Sequence, residues 1–520
     1  MRSAPLGIFR IVCFLGLSSL PCAAQQPHAA NNESPPTIKA TTREVILDVV
    51  VTTKNNHPVS GLTKDDFVIE EDKAPQTIQS FESVSVASRA IAQQRPETIL
   101  LIDQMNTRFI DFAFTRYSVK KLLARNGGQL DQPTTLMALT DKGLKVLAGP
   151  TLDGQFLESA VEHLPAALPW RLELRNFYNG IDRINLSLSA LADIAMANAG
   201  SGTRKNIVWI SPGFPIFSAY TFGDAKTQQA LFDAIRSLSD ILLKARIAIY
   251  TVDPRGVFGG ELYSNNQQFR TYLTALQTNS QVAFGDLALQ TLALQTGGRA
   301  LYGRNDVDQE IADSIGDGDT YYTLSYSPAN RNFDGEFRKI KIVLPHHPEL
   351  RARTRDGYYA LPEAPPPDDK LVQAQIGNAL MSPLTYKAIP IVSAATQVVK
   401  DPPRAEVRFY AGVSSFSWSP LPDGRQQANV EIAVVDFSNK DKAQHAITRS
   451  YTPLLSPEQW KSRENVRLAF NIDAPVTLPT GHLRLVIRDQ TTGYMGTTDI
   501  ANLPPAQKRE PSDYLKHRDP

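Results

Sequence analysis

Two cysteines are all that the 520 residues contain, and Cys13 and Cys22 both fall inside an N-terminal stretch that reads as an export signal. Arg2 and Arg10 supply its basic start. Residues 11–20 form a short apolar core, and Pro21-Cys22-Ala23-Ala24 places small residues ahead of a cut after Ala24. A mature chain cut there has no disulfide, no thiolate nucleophile and no cysteine-bound metal. A lipid anchor on Cys22 is not expected, because Leu20 is misplaced by one position for a lipidation box and Pro21 precedes the cysteine. The reading is export to the periplasm or beyond the cell. Such a protein must be held together by ordinary cores, and its length leaves room for about two to four.

Long apolar runs are missing as well. The signal core is too short for a membrane span, which takes roughly 20 apolar residues, and no later segment comes near that length. An excess of charge of either sign is also absent. Removing residues 1–24 takes two arginines and no acid, so the formal charge moves from +1 to −1. No bulk field is left to hold nucleic acid or an anionic membrane. None of the 8 histidines sits at metal spacing. The one pair, His346-His347, lies in a Pro-flanked turn, and neighbours on a strand face opposite sides. His-Glu-x-x-His and Gly-x-Ser-x-Gly are both absent. AGSGTRKN, residues 199–206, runs from helix into strand, so no helix N-terminus would face a phosphate. Arg204 and Lys205 are expected to be solvated at the start of a buried strand.

What the chain does contain is a succession of patterns. Residues 25–40 are polar and Pro-containing and read as a disordered leader. Residues 41–90 alternate with period two and predict three or four short strands, too small a unit to stand alone. Residues 95–316 alternate strand and helix, which implies a mainly parallel sheet covered on both faces. Within them TTLMALT, Asp141-Lys142-Gly143 and LKVLAG predict a hairpin. Residues 317–360 return to β character as an extension packed on the preceding domains. The segment 361–370, with Pro362, Pro365, Pro366 and Pro367, reads as a semi-rigid linker crossed by few contacts. Residues 371–502 predict a β-sandwich, and 503–520 a disordered tail. Phe416 and Trp418 in SFSWSP fit core packing better than a surface patch.

The most informative stretch is RPETILLIDQMNT. Its apolar run ends abruptly in Asp103, and three further runs, 134–140, 207–211 and 247–253, end in polar residues in the same way. In open α/β sheets ligands bind outside the carboxyl ends of the strands, so Asp103, Ser211 and Asp253 are expected at one edge. The alternative is that these acids order turns: Asp103 by capping, Asp141 within the hairpin, Asp253 ahead of Pro254.

The order of these pieces resembles the von Willebrand factor A-related proteins exported by some bacteria. HPVSGLTKDDFVIEEDKAPQTIQSF is similar to the β module ahead of the A domain. TILLIDQMNT, KNIVWISPGFP and RIAIYTVDPRG resemble its first, fourth and fifth strands. LALQTGGRALYGRNDVDQEIADSI with TYYTLSYSPANRNFDGEFRKIKI resembles its closing helix and β extension, and VTLPTGHLRLVIRDQTTGYMGT the end of the C-terminal β domain. The resemblance implies an α/β protein: a Rossmann-like von Willebrand A-type domain at 95–316, flanked by the N-terminal β module and the C-terminal β-sandwich.

It also implies a place where the family's best-known members hold Mg²⁺. Asp103 matches the first ligand and Thr107 can replace the second serine. Met105 stands where the first serine should be, and a thioether is a poor ligand for a hard cation. Ser211-Pro212-Gly213 stands where Thr-Asp-Gly would, so a carboxylate is missing, and Thr151 is a weak candidate for the loop threonine. The expectation is a degenerate site without metal, in a non-enzymatic protein that binds an unknown protein partner through Asp103, Asn106, Thr107, Ser211 and Asp253. One alternative is a Mg²⁺-dependent adhesin holding the ion by Asp103, Asn106 and Thr107. A second is an enzyme of unrecognised type, such as a hydrolase with paired carboxylates. If Asp103 merely orders its loop, Asp103→Asn is expected to cost under about 1 kcal/mol.

Overall fold

The computed structural model describes residues 43–84, 96–165, 177–213, 225–257, 289–363, 365–501 and 503–506. The expected export signal and leader, and all but the first four residues of the tail, lie outside them. The chain is mixed α/β, with eight α-helices and several sheets among the described residues.

Four strands come first: β1 (Val45–Thr52), β2 (Val68–Glu71), β3 (Ala74–Gln76) and β4 (Ile78–Val84). Val45, Leu47, Val49 and Val51 of β1 all enter one buried cluster, as period-two alternation requires. These strands do not complete a sheet by themselves. Residues 59–62 form no strand, and just ahead of them Pro58 makes only an isolated bridge with Thr52.

The α/β unit follows: β5 (Glu97–Asp103), α1 (Phe109–Leu123), β6 (Gln129–Thr140), β7 (Gly143–Asp153), α2 (Gly154–Glu162), α3 (Phe177–Asn198), β8 (Lys205–Ile210), α4 (Ala225–Lys244), β9 (Ile247–Val252), α5 (Leu289–Gln295), β10 (Ala300–Leu301) and α6 (Val307–Gly316). The six strands line up as β10-β9-β8-β5-β6-β7. All neighbours are parallel except the β6–β7 hairpin. Counted within the unit this is 6-5-4-1-2-3, so the order reverses between β5 and β8.

Each strand sends alternate side chains to opposite faces, and both faces are buried. Ile99, Leu101, Ile207, Trp209 and Ile249 pack with Leu191 and Ile194 of α3 and Ile235 and Leu242 of α4. Leu100, Ile102, Val208, Ile210 and Tyr250 pack on the other side with Val119 of α1, Leu157 of α2 and Ile311 of α6. Full burial of each such side chain contributes about 1.5–3 kcal/mol. The Gly297-Gly298 pair that stops α5 is needed for space: a Cβ on Gly298 would stand 1.7 Å from the Ile249 carbonyl oxygen.

Four strands after α6, β11 (Tyr321–Tyr326), β12 (Phe337–Val343), β13 (Arg351–Arg353) and β14 (Gly357–Tyr359), return to the N-terminal strands. The resulting sheets run β13-β1-β11-β4 and β14-β12-β2-β3. The N-terminal module and the 317–360 extension are therefore halves of one β unit, interleaved strand by strand. At its centre Glu71 accepts from Tyr326 Oη (2.7 Å), Tyr358 Oη (3.0 Å) and Arg338 Nη1 (3.2 Å).

Past the proline-rich segment the chain forms a helix, α7 (Asp369–Met381), where only strands were expected; Asp368 caps it by accepting from the Leu371 N–H. The strands are β15 (Ile391–Lys400), β16 (Pro403–Gly412), β17 (Ser419–Pro420), β18 (Gln426–Gln427), β19 (Val430–Phe437), β20 (Ala443–Tyr451) and β21 (Leu454–Leu455). A short helix α8 (Pro457–Lys461) precedes β22 (Arg467–Pro475), β23 (His482–Asp489) and β24 (Met495–Ile500). Sheets β15-β16-β22 and β20-β19-β23-β24 enclose a core of Val407, Phe409, Ile432, Phe470 and Leu485. Phe416 is buried beside that core and Trp418 packs against it.

The outer face of the second sheet, through Ala433, Val435 and Val486, joins α7 and the α3 side of the α/β unit in one continuous cluster. The expectation of few contacts across the linker is not met. Apolar periodicity on α7 buries Ile376, Ala379 and Leu380, which ties the two units. No helix among the described residues is long and apolar enough to cross a membrane.

Candidate functional site

Residues 99, 101 and 103 of β5 share a face, as do 207, 209 and 211 of β8 and its end, and the register pairs Leu101 with Trp209. Asp103 and Ser211 therefore meet at the carboxyl edge, where the strand order reverses. Asp103 is fully buried. Its Oδ1 accepts the backbone N–H groups of Met105 (3.0 Å) and Asn106 (2.8 Å). Its Oδ2 accepts from Asn106 Nδ2 (2.8 Å), Trp209 Nε1 (3.2 Å) and Ser211 Oγ (2.8 Å). A carboxylate has about four lone-pair sites, and here five donors occupy them. Burial pushes the Asp103 carboxyl above its ordinary value, against the downward pull of Asn106, Ser211 and Trp209. The buried Arg183 guanidinium on α3 feels the Asp103 charge, which offsets part of its own burial cost.

The other expected residues divide. Asn106 belongs to the cluster: its Nδ2 also reaches Ser187 Oγ on α3 at 3.3 Å. Thr107 is buried beside it. Asn106 Oδ1 and Thr107 Oγ1 have no hydrogen-bond partner. Met105 turns its thioether into the core and not toward the edge. Asp253 is not part of the cluster. It is held by Arg255 through Nε (2.9 Å), Nη2 (2.6 Å) and the backbone N–H (3.0 Å), and Arg255 Nη2 reaches the Pro212 carbonyl at 3.2 Å. Asp141 is exposed in the hairpin turn. Thr151 pairs with Thr134, which itself pairs with Thr98 at the start of β5, so it lies at the opposite edge and cannot join Asp103. His347 sits in a surface turn, 3.2 Å from Asp66.

These donors do not fit a Mg²⁺ ion. Mg²⁺ is bound through one or two carboxylates with near-octahedral oxygen geometry. Here the Asp103 carboxylate is occupied by donors, Asp253 is paired with Arg255, and Ser211 donates to Asp103. Two neutral oxygens remain, Asn106 Oδ1 and Thr107 Oγ1. Among the described residues no three His, Cys, Asp or Glu side chains group as metal ligands.

Two features escaped the sequence reading. Trp209 is a donor to Asp103, and the signal for it was its i−2 spacing from Ser211 in KNIVWIS. Glu310 on α6 is fully buried with neither carboxylate oxygen hydrogen-bonded. Burial, with the Asp306, Asp253 and Asp313 charges against that of Arg304, pushes it up to about 7. Nothing in VDQEIADSIGD distinguishes Glu310 from the other acids of the segment except the helical phase of Val307 and Ile311.

The same loops expose large apolar side chains. Phe109 is 55% exposed and Ile110 69%, immediately after the Asp103 loop, and Val257 is 45% exposed after Asp253. No known protein-family model matches this chain, and no curated protein does.

Proposed function

We propose that this is an exported, non-enzymatic interaction protein whose α/β unit is a Rossmann-like von Willebrand A-type domain. It binds a protein partner at the carboxyl edge of its sheet. The observation that carries this reading is a fully hydrogen-bonded, buried Asp103 whose loop runs directly into the exposed Phe109 and Ile110. A carboxylate in that state organises a loop; it has no lone pair left for general-base work or for a cation. Exposed aromatic and aliphatic groups held by a rigid loop suit a protein interface. The reversal of strand order between β5 and β8 supports the Rossmann-like assignment and the choice of edge, the latter by analogy of fold.

The test is partner capture by the mature protein, wild type against Phe109→Ser/Ile110→Ser, with and without a chelator. Capture that the double variant loses at unchanged melting temperature, and that the chelator leaves intact, supports the reading. Loss on chelation alone would replace it with the Mg²⁺-dependent adhesin, the reading favoured by the unpartnered Asn106 Oδ1 and Thr107 Oγ1.

A further inference from the structure

Between the interleaved β unit and the amino edge of the α/β unit lies a cavity of about 30 Å³, lined among others by Arg204, Arg246, Arg355, Asp48 and Thr354. Three guanidiniums face one carboxylate there. Asp48 is already committed: Arg246 grips both of its oxygens, and Thr323 Oγ1 donates to it at 3.0 Å. Arg204 has only neutral partners, Asn206 Oδ1 (3.0 Å) and Tyr250 Oη (3.1 Å), and lies 5.2 Å over the Tyr321 ring. Arg355, in the turn between β13 and β14, is 5% exposed, and its Nη1 is buried without a hydrogen-bond partner. Asp240, whose field reaches Arg355, is paired with Lys244 at 2.8 Å.

A buried guanidinium cannot shed its proton as a lysine does, and an uncompensated buried charge is costly. Even so, burial lowers Arg355 to about 10. The space holds about two water-sized spheres. That admits a monatomic anion or two waters.

We propose that the cavity is a chloride site, in which one halide ion bridges Arg355 of the β unit and Arg204 of the α/β unit and fastens the two together. Docking of the β unit then depends on the anion present, independently of any partner at the opposite edge.

Two measurements on the full mature chain decide it. Crystals soaked in sodium bromide should show an anomalous peak inside the cavity. The melting temperature should be higher in sodium chloride than in sodium gluconate at equal ionic strength, by roughly 2 °C or more, since gluconate cannot enter. Arg355→Met should erase that difference. Ordered water with no bromide peak, equal melting in the two salts, or a difference that survives in Arg355→Met would each overturn the proposal. If Arg355→Met does not fold, the two wild-type measurements still decide.

Discussion

The two edges of the six-stranded sheet are built from the same strands and end in opposite ways. At the amino edge, charged residues are drawn inside. Glu97 at the start of β5 is paired with Lys387 of the C-terminal unit and accepts from Thr135 Oγ1 at 3.0 Å. Arg246 ahead of β9 is paired with Asp48 of the N-terminal unit. Arg204 and Lys205, expected to be solvated, are 2% and 0% exposed. At the carboxyl edge, Asp103, Ser211, Asp253 and Arg255 bond within the α/β unit, and apolar Phe109, Ile110 and Val257 face solvent. The difference teaches that the amino edge is an assembly joint between units. The carboxyl edge satisfies its Asp103 and Asp253 carboxylates from within the α/β unit and carries apolar surface available to something else.

The largest effect should come from the amino edge. Lys205 Nζ donates to Ser201 Oγ, Thr203 O and Thr203 Oγ1, yet burial pushes it down to about 7. Its folded value lies below its ordinary 10.5, so the unfolded chain binds more protons between the two. Wild type should therefore gain stability relative to Lys205→Met as pH rises from about 7 to 10.5, by up to about 5 kcal/mol. Denaturant unfolding at pH 6, 8 and 10 measures it; a constant difference between the two proteins would mean the amino edge is wet.

Next is Asp103→Asn. The sequence expectation of under about 1 kcal/mol does not survive five donors. An amide turns one acceptor oxygen into a donor facing Trp209, Asn106 or a backbone N–H, leaving a buried donor unsatisfied at about 2–3 kcal/mol. Ser211→Ala removes one of the five donors to Asp103 together with the acceptor of the Gly213 N–H (3.1 Å), and should cost less, about 1 kcal/mol. Equal losses in the two variants, read from urea midpoints, would contradict the saturated carboxylate.

Glu310→Gln is expected to act with the opposite pH dependence to Lys205→Met. The Glu310 folded value, about 7, is above its ordinary 4.5. The folded state then holds the extra proton, and wild type loses stability as pH rises through that window. At pH 8 the glutamine variant should be more stable by up to about 3 kcal/mol, and at pH 4 equal. A wild type that holds its stability from pH 4.5 to 7 would show Glu310 charged and solvated.

Smallest in stability is Ile110→Ser, within about 0.5 kcal/mol as for other exposed positions. Its effect on partner capture should be large. A variant that loses several degrees of melting temperature would show that Ile110 is covered, and the contrast between the edges would weaken.

Much of the α/β unit was legible because apolar runs of strand length alternate with helical periodicity, each ended by a polar turn. The β character of residues 371–502 was legible for the same reason. β20, whose residues are mostly exposed, carries no such alternation and passed unread. So did α7, hidden by the prolines in front of it. Of the candidate site, Asp103, Asn106, Thr107 and Ser211 do come together. Asp253 does not, because the arginine two residues on, Arg255, folds back onto it, a local geometry that spacing does not encode.

Periodicity fixed what each residue does along its own element: which side of a strand is apolar, where a helix stops, that Asp103 ends β5. Those outcomes depend on neighbours a few residues away, and a linear pattern records them. Tertiary structure alone decided the protonation and partnership of the charged groups. Arg204, Lys205, Arg355 and Glu310 look like surface residues in the sequence. They become buried because distant parts of the chain close over them, as Tyr250 closes on Arg204 at a separation of 46. Desolvation is a property of the whole surroundings of an atom, and no short window of sequence contains it.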